Sequence, residues 1–137
     1  KIIEISKKNN NFVYNGYAKV INDKFSISKN IPKLTLDKNK NLLYMSRSEI
    51  PSSFRTKNKY FLKQICIYSF PRKILQKVFK YNTKSNLESF EDIEILRFLE
   101  AGYKVKMIKL SGKSMAVDVP DDVKKVEAIL RRNEKFS

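Results

Sequence analysis

The chain has 137 residues, 42% of them hydrophobic and 12% aromatic, and a formal net charge of +15. That length allows one domain or part of one, and that apolar content excludes global disorder. The charge points towards polyanions, but six of the 29 basic residues are Arg and the rest are lysines scattered through an Asn-rich chain, with no lysine run longer than the pairs Lys7-Lys8 and Lys124-Lys125. A solvated surface that attracts small anions accounts for it, so nucleic acid is not the expected partner.

Residues 1–10 are polar and are expected to fray. Phe12 to Ile21 alternates and is rich in aromatic and β-branched residues, so it reads as a strand, with Asn15-Gly16 as an irregularity within it. Residues 22–31 read as a loop. Lys33–Leu36 and Leu42–Ser46 are short strands joined by Asp37-Lys38-Asn39-Lys40-Asn41, which is turn chemistry and predicts a hairpin. Residues 49–58, with Pro51, Ser52 and Ser53, form a loop, and Tyr60 to Phe70 is a strongly apolar central strand.

Pro71 suits the first turn of a helix whose apolar positions Ile74, Leu75, Val78 and Phe79 recur at helical spacing. A second helix starts near Ser85, where Ser85-x-x-Glu88 is a capping-box pattern, and ends at Gly102. Tyr103 to Leu110 is a strand. Pro120 opens a third helix with Asp121 and Asp122 at its positive end and Val123, Val126, Ile129 and Leu130 as its apolar stripe. Strands, two helices, a strand and a helix in that order define an α/β sheet with flanking helices. The three glycines, 16, 102 and 112, leave no Gly-rich phosphate loop. The fold is therefore expected to be incomplete, and a start at Lys1 rather than Met fits a fragment.

Several residues are candidates for chemistry. Glu88, Glu91 and Glu94 recur every third residue and would form a drifting row along one helix. Glu88 reads as a cap, Glu94 pairs with Arg97 or enters a polar site, and Glu91 is open between a solvated edge and a site. Asp118, between Met115-Ala116-Val117 and the Pro120 helix, either caps that helix or holds Mg²⁺ on a nucleotide. Arg47, just past a strand end, is a surface residue or a bidentate clamp for a carboxylate. Tyr68 is core or site. Cys66, the single cysteine, excludes an internal disulfide; with no His there is no Cys/His zinc site, and a reducing, cytoplasmic setting fits. Its place in Ile65-Cys66-Ile67 reads as a small buried hydrophobe. No apolar run reaches the ~18 residues of a spanning helix, and no signal peptide is visible, so no membrane partner is expected.

Taken in order, four stretches carry a resemblance. Leu43-Tyr44-Met45-Ser46-Arg47-Ser48-Glu49-Ile50-Pro51 resembles the L-Y-x-S-R-x-x-I-P stretch of CMP-Kdo synthetases (3-deoxy-manno-octulosonate cytidylyltransferases). Lys63-Gln64-Ile65-Cys66-Ile67-Tyr68-Ser69-Phe70 resembles their H-x-G-I-Y-x-Y strand. Ser85 through Arg97 is similar to S-P-L-E-x-x-E-x-L-E-Q-L-R, and Val117-Asp118-Val119-Pro120-Asp121-Asp122 to V-D-T-P-E-D. The resemblance implies a Rossmann-like nucleotide-diphospho-sugar transferase fold, related to the acylneuraminate cytidylyltransferases, of which this chain is the C-terminal sugar-binding and dimerisation half. It implies an enzyme that joins CTP to a 2-keto sugar acid such as Kdo, for bacterial surface polysaccharide, releasing pyrophosphate. It further implies Mg²⁺ held by Asp118, a sugar pocket formed by Arg47, Gln64, Tyr68 and Glu94, and a homodimer. Gln64 stands where the family has His, and Ile95 where it has Gln, which widens the expected substrate to related sugar acids. The N-terminal nucleotide-binding half is absent, so the chain alone is expected to be inactive. A non-catalytic dimerisation or sugar-binding remnant, and a basic nucleic-acid-binding module, are the competing readings.

Overall fold

A computed structural model describes residues 1–21, 28–80, 83–111, 120, 123–124, 126–128 and 131. Among the described residues to 111 the elements are α1 (Ile2–Lys8), β1 (Val13–Ile21), β2 (Lys33–Leu36), β3 (Leu42–Ser46), β4 (Tyr60–Ser69), α2 (Arg72–Val78), α3 (Asn86–Glu91), α4 (Leu96–Glu100) and β5 (Val105–Lys109). The strands form one mixed sheet in the order β3-β2-β4-β1-β5, with β4 at its centre as its apolar content predicts. β1 pairs antiparallel with β4 and parallel with β5. At the C-terminal end, the described positions between 120 and 131 are helical, as expected for a helix opened by Pro120; Ile129 and Leu130 lie outside the described residues.

The β2–β3 hairpin is built by its turn. Asp37 Oδ1 accepts from the backbone N–H of Asn39 and of Asn41, both at 2.8 Å, while Asn41 Nδ2 donates to Asp37 Oδ2 at 2.6 Å. Lys40 takes the left-handed conformation (φ 61°) that the tight reversal requires. The tip then reaches the far edge of the sheet: Met107 N donates to Lys40 O at 2.8 Å, and Asn41 bridges Lys106. Both edges are thereby partly covered where they meet.

The Asn41 bonds hold the Asp37 carboxyl below its ordinary value, and contacts to Lys84 and to the Leu87 amide do the same for Asp92 and Glu100. A carboxylate whose folded pKa is depressed stabilises above its unfolded pKa, and that stability is lost as pH falls through the folded one. Unfolding by urea should therefore become easier from about pH 5 down to about pH 2. Asp37→Asn should lower the urea midpoint at neutral pH, and the gap to the parent should close in acid. A gap that stays constant with pH would remove Asp37 from this account.

The core lies on one side of the sheet, where Val13, Tyr17, Leu34, Leu42, Met45, Val105 and Met107 meet Ile93, Ile95, Leu96 and Phe98. Two expectations are corrected here. The first ten residues do not fray: Ile2–Lys8 is helical and Ile2 is 5% exposed, so a single apolar anchor docks a polar segment. The segment after Ser85 is two helices rather than one. Asp92 adopts φ 51°, ψ 48° and ends α3, and Ile93 and Ile95 turn into the core before α4 begins. The three glutamates therefore form no row. The two ends of the segment are as expected: Ser85 and Glu88 make both bonds of the capping box, and Gly102 follows α4 with φ 81°.

Candidate functional site

The decisive local feature is a bulge in β4. Asn15 of β1 pairs with Tyr68, but its neighbour Gly16 pairs with Ile65, so Cys66 and Ile67 have no partner on β1. A looped-out pair leaves carbonyls without ladder donors. Asn15 supplies them: its Nδ2 donates to Ile65 O at 3.1 Å and to Ile67 O at 3.0 Å, and the residue is fully buried. Gly16 permits the close approach, since a Cβ there would lie 2.7 Å from Leu110 Cδ1 and 3.1 Å from Ile65 Cβ. The bulge also corrects the reading of Cys66, which is exposed rather than buried because it leaves the ladder.

In a regular strand, residues four apart stand about 13 Å from each other. The bulge shortens that distance, and Gln64 Nε2 reaches both Asn15 Oδ1 at 3.1 Å and the Tyr68 hydroxyl at 3.0 Å. Burial pushes the Tyr68 phenol well up; the neighbouring Cys66 and the Glu94 carboxylate push it further, against a smaller opposing effect of the Gln64 bond. Tyr68 thus holds its proton more tightly than an ordinary phenol. Glu94, which is exposed, acts on it from the turn between α3 and α4. Gln64 and Tyr68 are in hydrogen-bond contact, and the charge of Glu94 is near enough to act on the Tyr68 phenol.

Arg47 sits at the end of β3 and is held by the α3–α4 turn. Its Nε donates to Glu91 O at 2.8 Å, Nη2 to Asp92 O at 3.0 Å and Nη1 to Lys29 O at 3.1 Å. Nη2 also lies 3.7 Å from Asp92 Oδ2 in an ion pair, so most of the guanidinium is spent on holding the α3–α4 turn. Glu91 is the other half of the clasp: its carboxylate accepts from Ser46 Oγ at 2.7 Å, Arg47 N at 2.9 Å and Tyr44 OH at 3.3 Å. Glu91 is neither a solvated edge nor a free site carboxylate, because it ties the end of β3 to the turn. Beneath it Lys33, 1% exposed, donates to Ser28 O at 2.6 Å and Arg47 O at 2.8 Å, and burial lowers its pKa.

Arg97 pairs with Glu88 rather than Glu94. Nε and Nη2 meet the two carboxylate oxygens at 2.5 and 2.9 Å, with both side chains buried. The guanidinium also stacks over Phe79 at 4.2 Å. From there the aromatic rings continue, Phe79 to Phe98 at 6.0 Å, Phe98 to Phe70 at 4.8 Å and Phe70 to Tyr68 at 5.6 Å. No sequence pattern announced this column, because its members come from the end of β4 and the residue after it, the C-cap of α2, and α4. Ile95, where the resembled motif has Gln, is fully buried in the core.

Asp118, expected to hold Mg²⁺, lies outside the described residues. Among the described residues no group of three or more His, Cys, Asp or Glu could hold a metal ion, and no helix is long and apolar enough to cross a membrane. A cavity of about 510 Å³ lies elsewhere, between Tyr17, Lys19, Lys40, Lys59, Tyr60 and Lys109, and none of Arg47, Gln64, Tyr68 or Glu94 lines it. Its lysines attract anions but Lys19 is already seated over the Tyr60 ring at 3.6 Å, so the polar cluster on β4 is the better site.

The mixed sheet is shared with a protein of known structure. The fold superposes on a CMP:2-keto-3-deoxy-manno-octonic acid synthetase complexed with CTP, with a TM-score of 0.85 at 22% identity, over 96% of this chain and 54% of that one. The cytidylyltransferase family model matches residues 1–119, and the chain belongs to that family. The 3-deoxy-manno-octulosonate cytidylyltransferase of Bacteroides thetaiotaomicron is 34% identical over 115 residues, covering 78% of this chain and 46% of the relative. An 8-amino-3,8-dideoxy-manno-octulosonate cytidylyltransferase of Shewanella baltica is 37% identical over 95 residues, covering 69% and 38%. The chain thus spans less than half the length of these curated relatives.

Proposed function

We propose that the protein carrying this chain is a CMP-sugar synthetase, in which the anomeric hydroxyl oxygen of a 2-keto sugar acid attacks the α-phosphorus of CTP and pyrophosphate leaves. The observation that carries this reading is the Gln64–Tyr68 bond at the β4 bulge, with the Glu94 charge acting on it, in a chain of the cytidylyltransferase family. This chain supplies the sugar-acid pocket. Tyr68 presents a hydroxyl, Glu94 accepts from sugar hydroxyls, and the positive charge of Arg47 favours an anionic group nearby. The relatives' names point to Kdo or its 8-amino analogue as the sugar.

Asp118 would be this chain's residue for holding Mg²⁺, as a carboxylate suits a hard cation. When bound, the ion neutralises phosphate charge and orients the reacting groups. Homodimer formation and a cytoplasmic setting belong to the same reading, as does a role in bacterial surface polysaccharide synthesis.

The test is pyrophosphate release by the full-length protein with CTP, Mg²⁺ and a panel of 2-keto sugar acids. Turnover with Kdo or a close analogue is the expected result, and release with no sugar acid in the panel would refute the reading. Asp118→Asn should cut the Mg²⁺-dependent rate by roughly 100-fold, about 2.7 kcal/mol of barrier; an undiminished rate would remove Asp118 from the metal site.

A further inference from the structure

Two neighbouring strands end their buried rows on a lysine. Side chains on one face of a strand stand two residues apart. On β1 that face carries Val13, Asn15 and Tyr17, all buried, and the next position is the exposed Lys19. On β5 it carries Val105 and Met107, both buried, and then the exposed Lys109. The two strands run parallel with Tyr17 opposite Lys109, so both lysines stand at strand C-terminal ends on the face that holds the core. Leu62 of β4 lies opposite Lys19 and continues the same face. The β2–β3 hairpin crosses to meet these ends. β3 and β5 are the two edges of the sheet, yet Met107 N donates to Lys40 O at 2.8 Å and Asn41 bridges Lys106. The sheet therefore curls, and within the curl lies the cavity of about 510 Å³, lined by residues of β1, β2, β4, β5 and the hairpin turn. That volume suits a small molecule rather than a polymer.

Charge in this cavity is one-sided. Lys19, Lys40, Lys59 and Lys109 line it, and Asp37 is the one acid among the described lining residues. The Asp37 carboxylate is spent on Asn39 and Asn41 in the hairpin turn. Lys19 lies over the Tyr60 ring, while the ammonium groups of Lys40, Lys59 and Lys109 have no hydrogen bond or ion pair among the described residues. Like charges around one concavity with apolar walls repel each other and reinforce each other's field. Several negative charges on one compact ligand relieve that repulsion, and ammonium groups bind phosphate as point charges. We propose that this cavity is a second site, which binds a small, multiply charged phosphate anion through Lys40, Lys59 and Lys109. The proposal is independent of the sugar-acid reading, because none of Arg47, Gln64, Tyr68 and Glu94 lines the cavity and its test reads binding rather than turnover.

The experiment is a titration of the full-length protein, labelled with fluorotyrosine, with inorganic pyrophosphate in the absence of Mg²⁺. Fluorine NMR follows Tyr17 and Tyr60, which line the cavity, and each signal is assigned by its Tyr→Phe variant. Both signals should move along one saturable curve. Lys59→Gln with Lys109→Gln should raise the Kd read at Tyr60 about tenfold, roughly threefold for each lysine, the scale of an exposed charge pair. Lys40→Gln, on the hairpin instead of the strands, should raise it about threefold by itself. A protein this basic attracts anions everywhere, so Lys73→Gln with Lys77→Gln, exposed on α2, is the control that removes the same charge elsewhere. That pair should leave the Kd unchanged. An equal loss in the control would mean diffuse attraction and would overturn the site. A Tyr60 signal that stays in place, or drifts without saturating, would overturn it too. All five lysines are exposed, and an unchanged urea midpoint checks that each variant keeps the fold. CTP run in parallel separates two sources of the same chemistry. A Tyr60 shift with pyrophosphate alone assigns the cavity to the free anion, a shift with both extends it to phosphates carried on a nucleotide, and either result supports the site.

Discussion

Arg97→Leu should lower the free energy of unfolding by about 3–5 kcal/mol, the cost of removing one member of a buried ion pair. The reason is what stays behind. Glu88 is 4% exposed, and without Arg97 its carboxylate keeps only the backbone N–H of Ser85 as a partner. Burying an uncompensated charge is far more costly than the net value of the pair that neutralised it. The same reasoning makes the double variant milder than the single. With Glu88→Leu and Arg97→Leu together no charge is stranded, and the loss should fall below that of Arg97→Leu alone. Arg97 Nη1 is buried with no hydrogen-bond partner among the described residues, which favours the apolar replacement further. Urea midpoints at unchanged m-value measure both. Additive losses in the double variant would show that the two side chains act on stability separately.

The parts of this molecule that were legible in the sequence are those set by neighbours along the chain. Asp37 with Asn39 and Asn41 builds its own turn, Ser85 and Glu88 cap their own helix, and Gly102 ends one, because each device closes within about five residues. The break after α3 was not legible. Local periodicity through residues 85–101 favours one helix, and what overrides it is distant: Glu91 is claimed by Ser46 and Arg47, Arg97 turns back to Glu88, and Ile93 and Ile95 enter the core. Tertiary partners outbid a helix propensity worth only tenths of a kcal/mol per residue. The site divides in the same way. Motif order identified Gln64, Tyr68 and Glu94, while the bulge that joins the first two exists only in the pairing of β4 with β1. Asn15 gave a signal as an irregular strand position, but its burial and its two carbonyl partners could not be read from it. Cys66 was misjudged for that same reason.

Phe98→Ala should also cost about 3–5 kcal/mol, and it should weaken the candidate site as well as the fold. Phe98 is fully buried and is the ring on which two arms of the column meet, Phe70 at the end of β4 and Phe79 just past α2. Truncation removes both ring contacts, about 0.5–1.5 kcal/mol each beyond area, and leaves a cavity too confined to collapse between a strand and two helices. Phe70 loses its backing on the side away from Tyr68, so the Tyr68 ring is held by Gln64 and by a looser neighbour. On the proposed function, the sugar-acid KM of the full-length protein should therefore rise severalfold while the CTP KM stays put, a split that a uniform loss of folded protein cannot produce. Phe98→Leu refills most of the volume and should recover most of the stability but not the stacking. The two large effects are also coupled. Arg97 rests on Phe79, and Phe79 rests on Phe98, so Phe98→Ala and Arg97→Leu loosen the same ring from opposite sides. Their combined cost should fall short of their sum by more than the few tenths of a kcal/mol expected of independent sites. Strict additivity would mean that the column is a row of separate contacts, and the link from the buried ion pair through the rings to Tyr68 would be broken.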